Sequence, residues 1–127
     1  MTKRIVTHNG SCHCKQIQFK AIGSDNIEVL NCSCSICSIT NYKHYLVPKK
    51  QFTLLKGKNF LSVYKFNTNF AKHYFCKKCG IKSFYIPRSH PDHISVNLNC
   101  INSNTIKNIK TINFDGKNWK KNIEKII

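Results

Sequence analysis

The sequence predicts a mostly β protein with small antiparallel sheets and few short helices. Short runs of β-branched and aromatic residues recur along the chain, and turn residues separate them. Helical periodicity is scarce. The cysteines fall into groups, so we expect bound metal to staple the sheets together.

The predicted strands follow one another along the chain. The first, "KQIQFKAI", alternates, with Ile17 and Phe19 on one face and Gln16 and Gln18 on the other. The later strands are "IEVLNC", "HYLVP", "LSVYKFN", "IKSFYIP" and "ISVNLNC". In "LSVYKFN" apolar residues occur at both alternating sets of positions, which indicates a strand with both faces partly covered.

Two stretches predict helix. "PKKQFTLL" is expected to open with one helical turn after Pro48. "NWKKNIEKII" is expected to end the chain as a short helix, with Trp119, Ile123 and Ile126 on one face.

Length and hydropathy predict one domain over residues 1–127, in the cytoplasm. The chain has 127 residues, the usual size of one domain. "MTKRIVTHNG" lacks the apolar core of a signal peptide, and no apolar run approaches the ~20 residues of a membrane span, so we expect no membrane partner. Because the cytoplasm is reducing, the eight cysteines are expected to bind metal rather than form disulfides.

The charge is strongly positive, with 21 Lys+Arg against 5 Asp+Glu and a formal net charge of +16. Such a balance favours anionic partners: nucleic acid, anionic lipid or an acidic small molecule. The alternative is a coding bias, since only Arg4 and Arg88 are arginines and Lys, Asn and Ile are all abundant. The lysines are dispersed along the sequence, so the pattern allows weak nonspecific nucleic-acid binding but predicts no dedicated interface.

The cysteines form four groups: Cys12-x-Cys14, Cys32-x-Cys34-x-x-Cys37, Cys76-x-x-Cys79 and single Cys100. "CKKCG" is typical of a zinc knuckle, in which two cysteines flank a tight turn and Gly80 permits a positive φ.

Spacing leaves the pairing of these groups open. Cys34 and Cys37 with Cys76 and Cys79 would make a zinc ribbon, with the remaining cysteines left over. Alternatively, one group closes as a four-cysteine site and the other keeps three ligands (Cys12, Cys14, Cys76 and Cys79; Cys32, Cys34 and Cys37). A three-ligand zinc keeps one position for substrate or water.

Several motifs in fixed order resemble those of the glutathione-dependent formaldehyde-activating enzyme and centromere protein V family. They are "GSCHCKQIQF", "NCSCSIC", "FCKKCGIKSFYIPRSHPD", "VNLNCI" and "FDGKNW", and they run from about Gly10 to Trp119. The stretches "VPKKQFTLLKG", "YKFNTNFAKHYFC" and "FYIPRSHPD" are most similar to the centromere protein V branch.

The resemblance implies a β-tent fold with two Zn²⁺ per chain. The structural zinc would be held by Cys12, Cys14, Cys76 and Cys79, and the second by Cys32, Cys34 and Cys37. In the formaldehyde-activating members the fourth position of that second zinc is associated with the thiol of glutathione. The implied function is a carbon–sulfur lyase-like reaction that makes or breaks a C–S bond between glutathione, or a similar thiol, and an aldehyde. The centromere protein V branch implies the alternative, a non-enzymatic zinc module that binds nucleic acid, chromatin or another polyanion.

Three histidines lie near the cysteine motifs. His73, three residues before Cys76, could orient a thiolate or a substrate from outside the ligand set, although a structural role is favoured. His44 could reach the second zinc as ligand or proton relay, but a surface position is the stronger expectation. His13 is expected to face outward.

The remaining candidates are interpreted as packing residues. Cys100 is expected to be a small buried hydrophobe rather than a ligand. Four aromatic residues are expected in the core or a pocket wall: Tyr64, Phe66, Phe84 and Tyr85. A turn and a packing anchor are expected at Asp115, Gly116 and Trp119.

Overall fold

The computed structural model describes residues 4–32, 35–65, 71–87 and 90–114. The predicted mostly β class is confirmed. In that part of the chain the strands are β1 (Ile5–Ser11), β2 (Gln18–Ser24), β3 (Asn26–Cys32), β4 (Lys43–Pro48), β5 (Phe52–Lys56), β6 (Leu61–Tyr64), β7 (Lys72–Cys76), β8 (Phe84–Ile86), β9 (His93–Asn97) and β10 (Asn108–Phe114).

Helical structure in the described residues is short. One α-helix, α1, spans Ser35–Thr40, and 3₁₀ turns span Lys49–Gln51, Lys58–Phe60 and Leu98–Cys100. The helical turn predicted after Pro48 is confirmed as the first of these 3₁₀ turns. The predicted C-terminal helix, with Trp119, Ile123 and Ile126, lies outside the described residues, as do Asp115 and Gly116. No helix in the described ranges is both long enough and apolar enough to cross a membrane.

The strands form two sheets. The smaller has the order β1-β2-β5, and the larger has the order β10-β3-β4-β9-β8-β7-β6. The chain passes from one sheet to the other at Asp25, the single residue between β2 and β3. Asp25 is buried, and its side-chain Oδ1 accepts a hydrogen bond from the side-chain Nδ2 of Asn26 at 3.1 Å. This corner places the two sheets on opposite sides of the core.

Among the described strands, β10 runs parallel to β3, whereas the sequence predicted antiparallel sheets. The pairing extends from Asn108 opposite Asn26 to Phe114 opposite Cys32. The carbonyl of Asp25 accepts hydrogen bonds from the backbone N–H groups of Lys107 and Asn108, at 2.8 and 3.3 Å. The sheet corner therefore sets the start of β10, a long-range contact that no local pattern encodes.

The core lies between the sheets. Ile17 and Phe19, which the alternation of "KQIQFKAI" placed on one face, are 1% and 0% exposed. The Phe19 ring stacks on Phe52 with centroids 5.6 Å apart. Gly10 lies directly against Phe19, and a Cβ there would overlap both this ring and the Cys100 carbonyl oxygen. Burying one such phenylalanine contributes about 1.5–3 kcal/mol.

The sequence pattern missed β1, β5, β7 and β10. The buried positions of β1 are Gly10 and a histidine, His8, which is 0% exposed. Its ring nitrogens are hydrogen-bonded to the Thr105 hydroxyl at 2.6 Å and the Ser24 carbonyl at 2.9 Å. A buried polar residue with satisfied hydrogen bonds is stable inside but breaks the apolar alternation that marks a strand.

Candidate metal centres

The first candidate metal centre consists of Cys12, Cys14, Cys76 and Cys79, which we call the four-cysteine group. The sulfurs of all four lie within 4.8 Å of one another. Cys14 Sγ is 3.6 Å from the sulfurs of both Cys12 and Cys76. Four thiolates around a tetrahedral zinc are ~3.8 Å apart, because each Zn–S bond is about 2.3 Å long. The donor set and its spacing therefore fit a closed zinc site.

Two tight turns build this group. The first follows β1 and contains Lys15 with φ 66°, and the second follows β7 and ends at Gly80 with φ 78°. The positive φ predicted for Gly80 is therefore present. Backbone N–H groups point at the sulfurs: Ile17 donates to Cys12 Sγ at 3.4 Å, and Lys78 donates to Cys76 Sγ at 3.3 Å. Such N–H groups stabilise thiolates, the form that binds metal.

The thiols of the four-cysteine group share negative charge unequally. A backbone hydrogen bond at Gln16 lowers the pKa of Cys14, but burial and the neighbouring thiols outweigh it and raise that pKa to about 11. Burial raises the pKa of Cys79, but backbone hydrogen bonds at Cys14 and Ile81 and the thiols of Cys12 and Cys76 bring it down to about 6. The metal-free group therefore ionises more readily at Cys79 than at Cys14.

The second candidate metal centre consists of Cys32, Cys37 and His44, which we call the mixed group. Their donor atoms also lie within 4.8 Å of one another. Cys37 and His44 are 3% and 5% exposed, and Cys37 Sγ is 3.1 Å from His44 Nε2. Cys34 lies outside the described residues, so its role as a ligand stays a prediction. Thiolate and imidazole are both ordinary zinc ligands, so this donor set also fits zinc.

The β3–α1–β4 connection assembles the mixed group. Cys32 ends β3, Cys37 lies in α1, and His44 is the second residue of β4. In the β3–β4 pair, His44 lies opposite Leu30, two residues before Cys32 on the same face of the strand. Tyr42 donates its backbone N–H to the Cys37 carbonyl at 3.1 Å and returns the chain from α1 into β4.

Hydroxyl groups hold the other side of the His44 ring. Nδ1 is 2.9 Å from Tyr85 Oη and 3.1 Å from Ser95 Oγ. Tyr42 packs its edge on the imidazole, with centroids 4.7 Å apart, and donates its hydroxyl to the Ser95 carbonyl at 2.7 Å. Burial raises the pKa of Tyr42 well above its ordinary value, which keeps that hydroxyl protonated as a donor.

A second buried histidine lies behind Tyr85. The His73 ring stacks on Tyr85 with centroids 4.6 Å apart, and His73 Nδ1 is 3.0 Å from Lys82 Nζ. Lys82 is 8% exposed, and its Nζ lies 4.4 and 4.5 Å from the ring centroids of Tyr42 and Tyr85. His73 is therefore joined to the mixed group through an aromatic wall, which the spacing to Cys76 did not suggest.

Two expectations from the sequence are wrong. His44 is buried in the mixed group rather than on the surface, because the β3–β4 register turns it toward Cys32. Tyr64 is 51% exposed, because β6 is an edge strand of the larger sheet and its end leaves the core. Phe84 and Tyr85 are buried as expected, and Phe66 lies outside the described residues.

Other residues occupy the expected environments. Cys100 is 8% exposed within the core and belongs to neither group, and His13 is exposed. Cys76 and Cys79 lie with Cys12 and Cys14, the arrangement of the second pairing rather than of the zinc ribbon. No sequence pattern marks Tyr42, Lys82 or Ser95 as functional, since isolated polar and aromatic residues carry no local signal.

The fold and its two thiol-containing groups define a mostly β protein with candidate metal-binding sites. Residues 7–116 match the family model described as glutathione-dependent formaldehyde-activating enzyme, so the chain belongs to this family. The fold is similar to the crystal structure of a Rhodobacter sphaeroides protein from a structural genomics programme, with a TM-score of 0.67 and 24% sequence identity. That match covers 82% of this chain and 99% of the other.

Proposed function

We propose that the protein is a zinc-dependent carbon–sulfur lyase-like enzyme that binds glutathione, or a similar thiol, at the mixed group. The observation that supports this proposal most is that the two groups offer different sets of metal ligands. The four-cysteine group supplies a complete tetrahedral donor set. The described residues of the mixed group supply two sulfurs and one imidazole, and next to them lie a further buried histidine, two buried tyrosines and a buried lysine. Family membership supports glutathione as the thiol. On this proposal residues 1–127 form one cytoplasmic domain of the centromere protein V branch.

Each chain would hold two Zn²⁺, the first in the four-cysteine group. The second would be held by the cysteines of "NCSCSIC": Cys32 and Cys37 of the mixed group, together with Cys34. When bound there, zinc supplies thiol acidification and positions the thiol sulfur. The zinc of the mixed group would then have the chemical role, and the zinc of the four-cysteine group the structural one.

The chain's own residues prepare the surroundings of the reacting sulfur. Tyr42 and Tyr85 form an aromatic wall that excludes water beside the mixed group. Lys82 Nζ, held over both rings, places a positive charge near an anionic thiol such as glutathione. His73 positions Lys82 through its 3.0 Å contact and acts from outside the ligand set.

The proposed reaction is the addition of a thiol to an aldehyde. The sulfur electron pair forms the C–S bond, the carbonyl π bond breaks onto oxygen, and the proton lost by the thiol ends on that oxygen. The reverse reaction breaks the C–S bond and releases thiol and aldehyde. Both directions balance without an oxidant or reductant.

Calorimetric titration of the zinc-loaded protein with glutathione tests this proposal. We expect two zincs per chain and heat on binding, and no heat with S-methylglutathione, which lacks the thiol. Cys34→Ser should lose one zinc and the glutathione heat without unfolding. Cys100→Ser, a cysteine in neither group, is the matched control and should retain both. One zinc in the unaltered protein, or no heat with glutathione, contradicts the proposal.

We propose a second candidate function, weak nonspecific binding of nucleic-acid phosphates, because lysines surround the four-cysteine group. Lys15, Lys58, Lys77 and Lys78, which we call the knuckle surface, are all exposed. Their segments touch: the Lys77 N–H donates to the Phe60 carbonyl at 2.7 Å. Among described residues, the acidic side chains lie elsewhere, at Asp25, Glu28 and Asp92.

The salt dependence of DNA binding tests the knuckle surface. Lys58→Glu with Lys77→Glu should weaken binding and reduce the slope of log affinity against log salt by about two. The control, Lys49→Glu with Lys50→Glu, makes the same charge change beside Phe52, at the far end of β5. Equal effects of both pairs would indicate simple attraction to the whole basic chain and contradict a located surface.

A further inference from the structure

The imidazole of His44 uses its two nitrogens in two directions. Nε2 faces the mixed group, 3.1 Å from Cys37 Sγ. Nδ1 faces away from the sulfurs, toward the hydroxyls of Tyr85 and Ser95. Both sides of the ring are buried, since His44 is 5% and Ser95 0% exposed.

We propose that His44 is the fourth protein ligand of the mixed group, binding through Nε2, and that Tyr85 and Ser95 fix its ring through Nδ1. With Cys34 as a further ligand, the zinc at the mixed group would have three cysteine ligands and one histidine ligand. When no thiol is bound, His44 occupies the fourth coordination position of the zinc, which Cys32, Cys34 and Cys37 leave open.

The distances agree with this role after a small movement. With Zn–S near 2.3 Å and Zn–N near 2.0–2.1 Å, a sulfur and a nitrogen on one tetrahedral zinc are ~3.5 Å apart. The Cys37–His44 separation of 3.1 Å is a few tenths of an ångström shorter. A small rotation of the imidazole opens this distance, and Cys32 Sγ already lies within 4.8 Å of both atoms.

The hydroxyls next to Nδ1 are suitable hydrogen-bond partners for a histidine that binds metal through Nε2. A histidine that binds through Nε2 keeps its proton on Nδ1 and donates it to an oxygen, which sets the tautomer and the ring orientation. Tyr85 Oη and Ser95 Oγ both offer an acceptor oxygen there. The Tyr85 ring is in turn fixed by stacking on His73.

The role of His44 as a ligand does not depend on the proposed function. Only its consequence for thiol binding rests on that function, which the inference deepens in this respect. His44 closes the mixed group against water and other small ligands. A thiol that enters must take the place of the imidazole or expand the coordination, so His44 acts as a gate on the thiol position.

Zinc X-ray absorption of the fully loaded protein tests the ligand directly, without an activity assay. Averaged over two zincs, the spectrum should contain about half an imidazole per zinc. His44→Gln should remove the imidazole signal. His44→Cys keeps four protein ligands, which preserves folding, and should replace that signal by sulfur. His13→Gln and His73→Gln, which change histidines near the cysteine motifs, should leave it intact.

The outcomes separate this inference from the proposed function. Loss of the imidazole signal on both His44 substitutions supports His44 as a ligand, even where glutathione produces no heat. An unaltered protein without imidazole signal, or a signal that disappears only with His13→Gln, overturns it. Glutathione binding can stand in that case, with the thiol entering a position that His44 never filled.

Discussion

The four-cysteine group and the mixed group differ in how the chain reaches them. The first joins two local turns, at Cys14 and Cys76, that are 62 residues apart along the chain, and backbone N–H groups donate hydrogen bonds to its sulfurs. The second is assembled within one β3–α1–β4 connection, and side-chain hydroxyls lie within hydrogen-bond distance of its imidazole. The first therefore ties distant segments together, whereas the second places a donor set in an aromatic pocket. A structural role fits the former, and chemistry fits the latter.

The largest expected effect comes from breaking the four-cysteine group. Cys76→Ser should abolish the cooperative thermal transition, because the binding free energy of a structural zinc is about as large as the net free energy of unfolding of a whole domain. Cys37→Ser should remove one zinc but keep a cooperative transition. Circular dichroism on heating and zinc content measure both, with Cys100→Ala as the control. Equal loss of folding in both variants would erase the distinction between the groups.

Tyr85→Phe probes the mixed group alone. Removing the hydroxyl 2.9 Å from His44 Nδ1 should lower the zinc affinity of the mixed group about tenfold, because partners of a metal-binding histidine tune its affinity. The affinity of the four-cysteine group should not change. Competition with a chromophoric chelator resolves the two zincs. Tyr45→Phe, at a buried tyrosine outside both groups, is the control. Unchanged affinity at the mixed group would contradict a role for this hydroxyl.

Acidification should affect the four-cysteine group with a break near pH 6. The pKa of Cys79 is lowered to about 6, where burial, which opposes ionisation, is outweighed by hydrogen bonds to its thiolate. Above that pH zinc meets a thiolate, whereas below it zinc must displace one more proton. The affinity should therefore fall by about one further decade per pH unit below pH 6. Zinc titrations of Cys37→Ser, which isolates this group, measure the slope, and a constant slope from pH 7 to 5 would contradict it.

The smallest expected effect concerns the turn after Cys79. Gly80 has φ 78°, and among the described residues no atom beyond its chain neighbours lies within 4 Å of a Cβ built there, so backbone strain is what opposes a side chain. Gly80→Ala should lower the free energy of unfolding by about 1–2 kcal/mol. Gly80→Asn should lose less, since asparagine tolerates the left-handed conformation. Thermal unfolding compares the two, and equal losses would point to a cause other than φ.

Local pattern was sufficient for much of the fold. The alternation in "KQIQFKAI" placed Ile17 and Phe19 in the core, and the turn after Pro48 is present. It failed where a strand buries a polar residue, as at His8, or where pairing is long-range and parallel, as for β10 and β3. Burial of polar side chains depends on partners such as Thr105, 97 residues away, which periodicity cannot detect.

The sequence by itself determined the mostly β class and the knuckle at Cys76 and Cys79, because strand alternation and turn geometry are local properties. Motif order pointed to the family. Only the tertiary structure decided that this knuckle meets Cys12 and Cys14, and that His44 turns inward to Cys37. Only the tertiary structure also decided that Tyr85 stacks on His73 and that His73 contacts Lys82. These contacts depend on strand register and sheet order, which no single segment encodes.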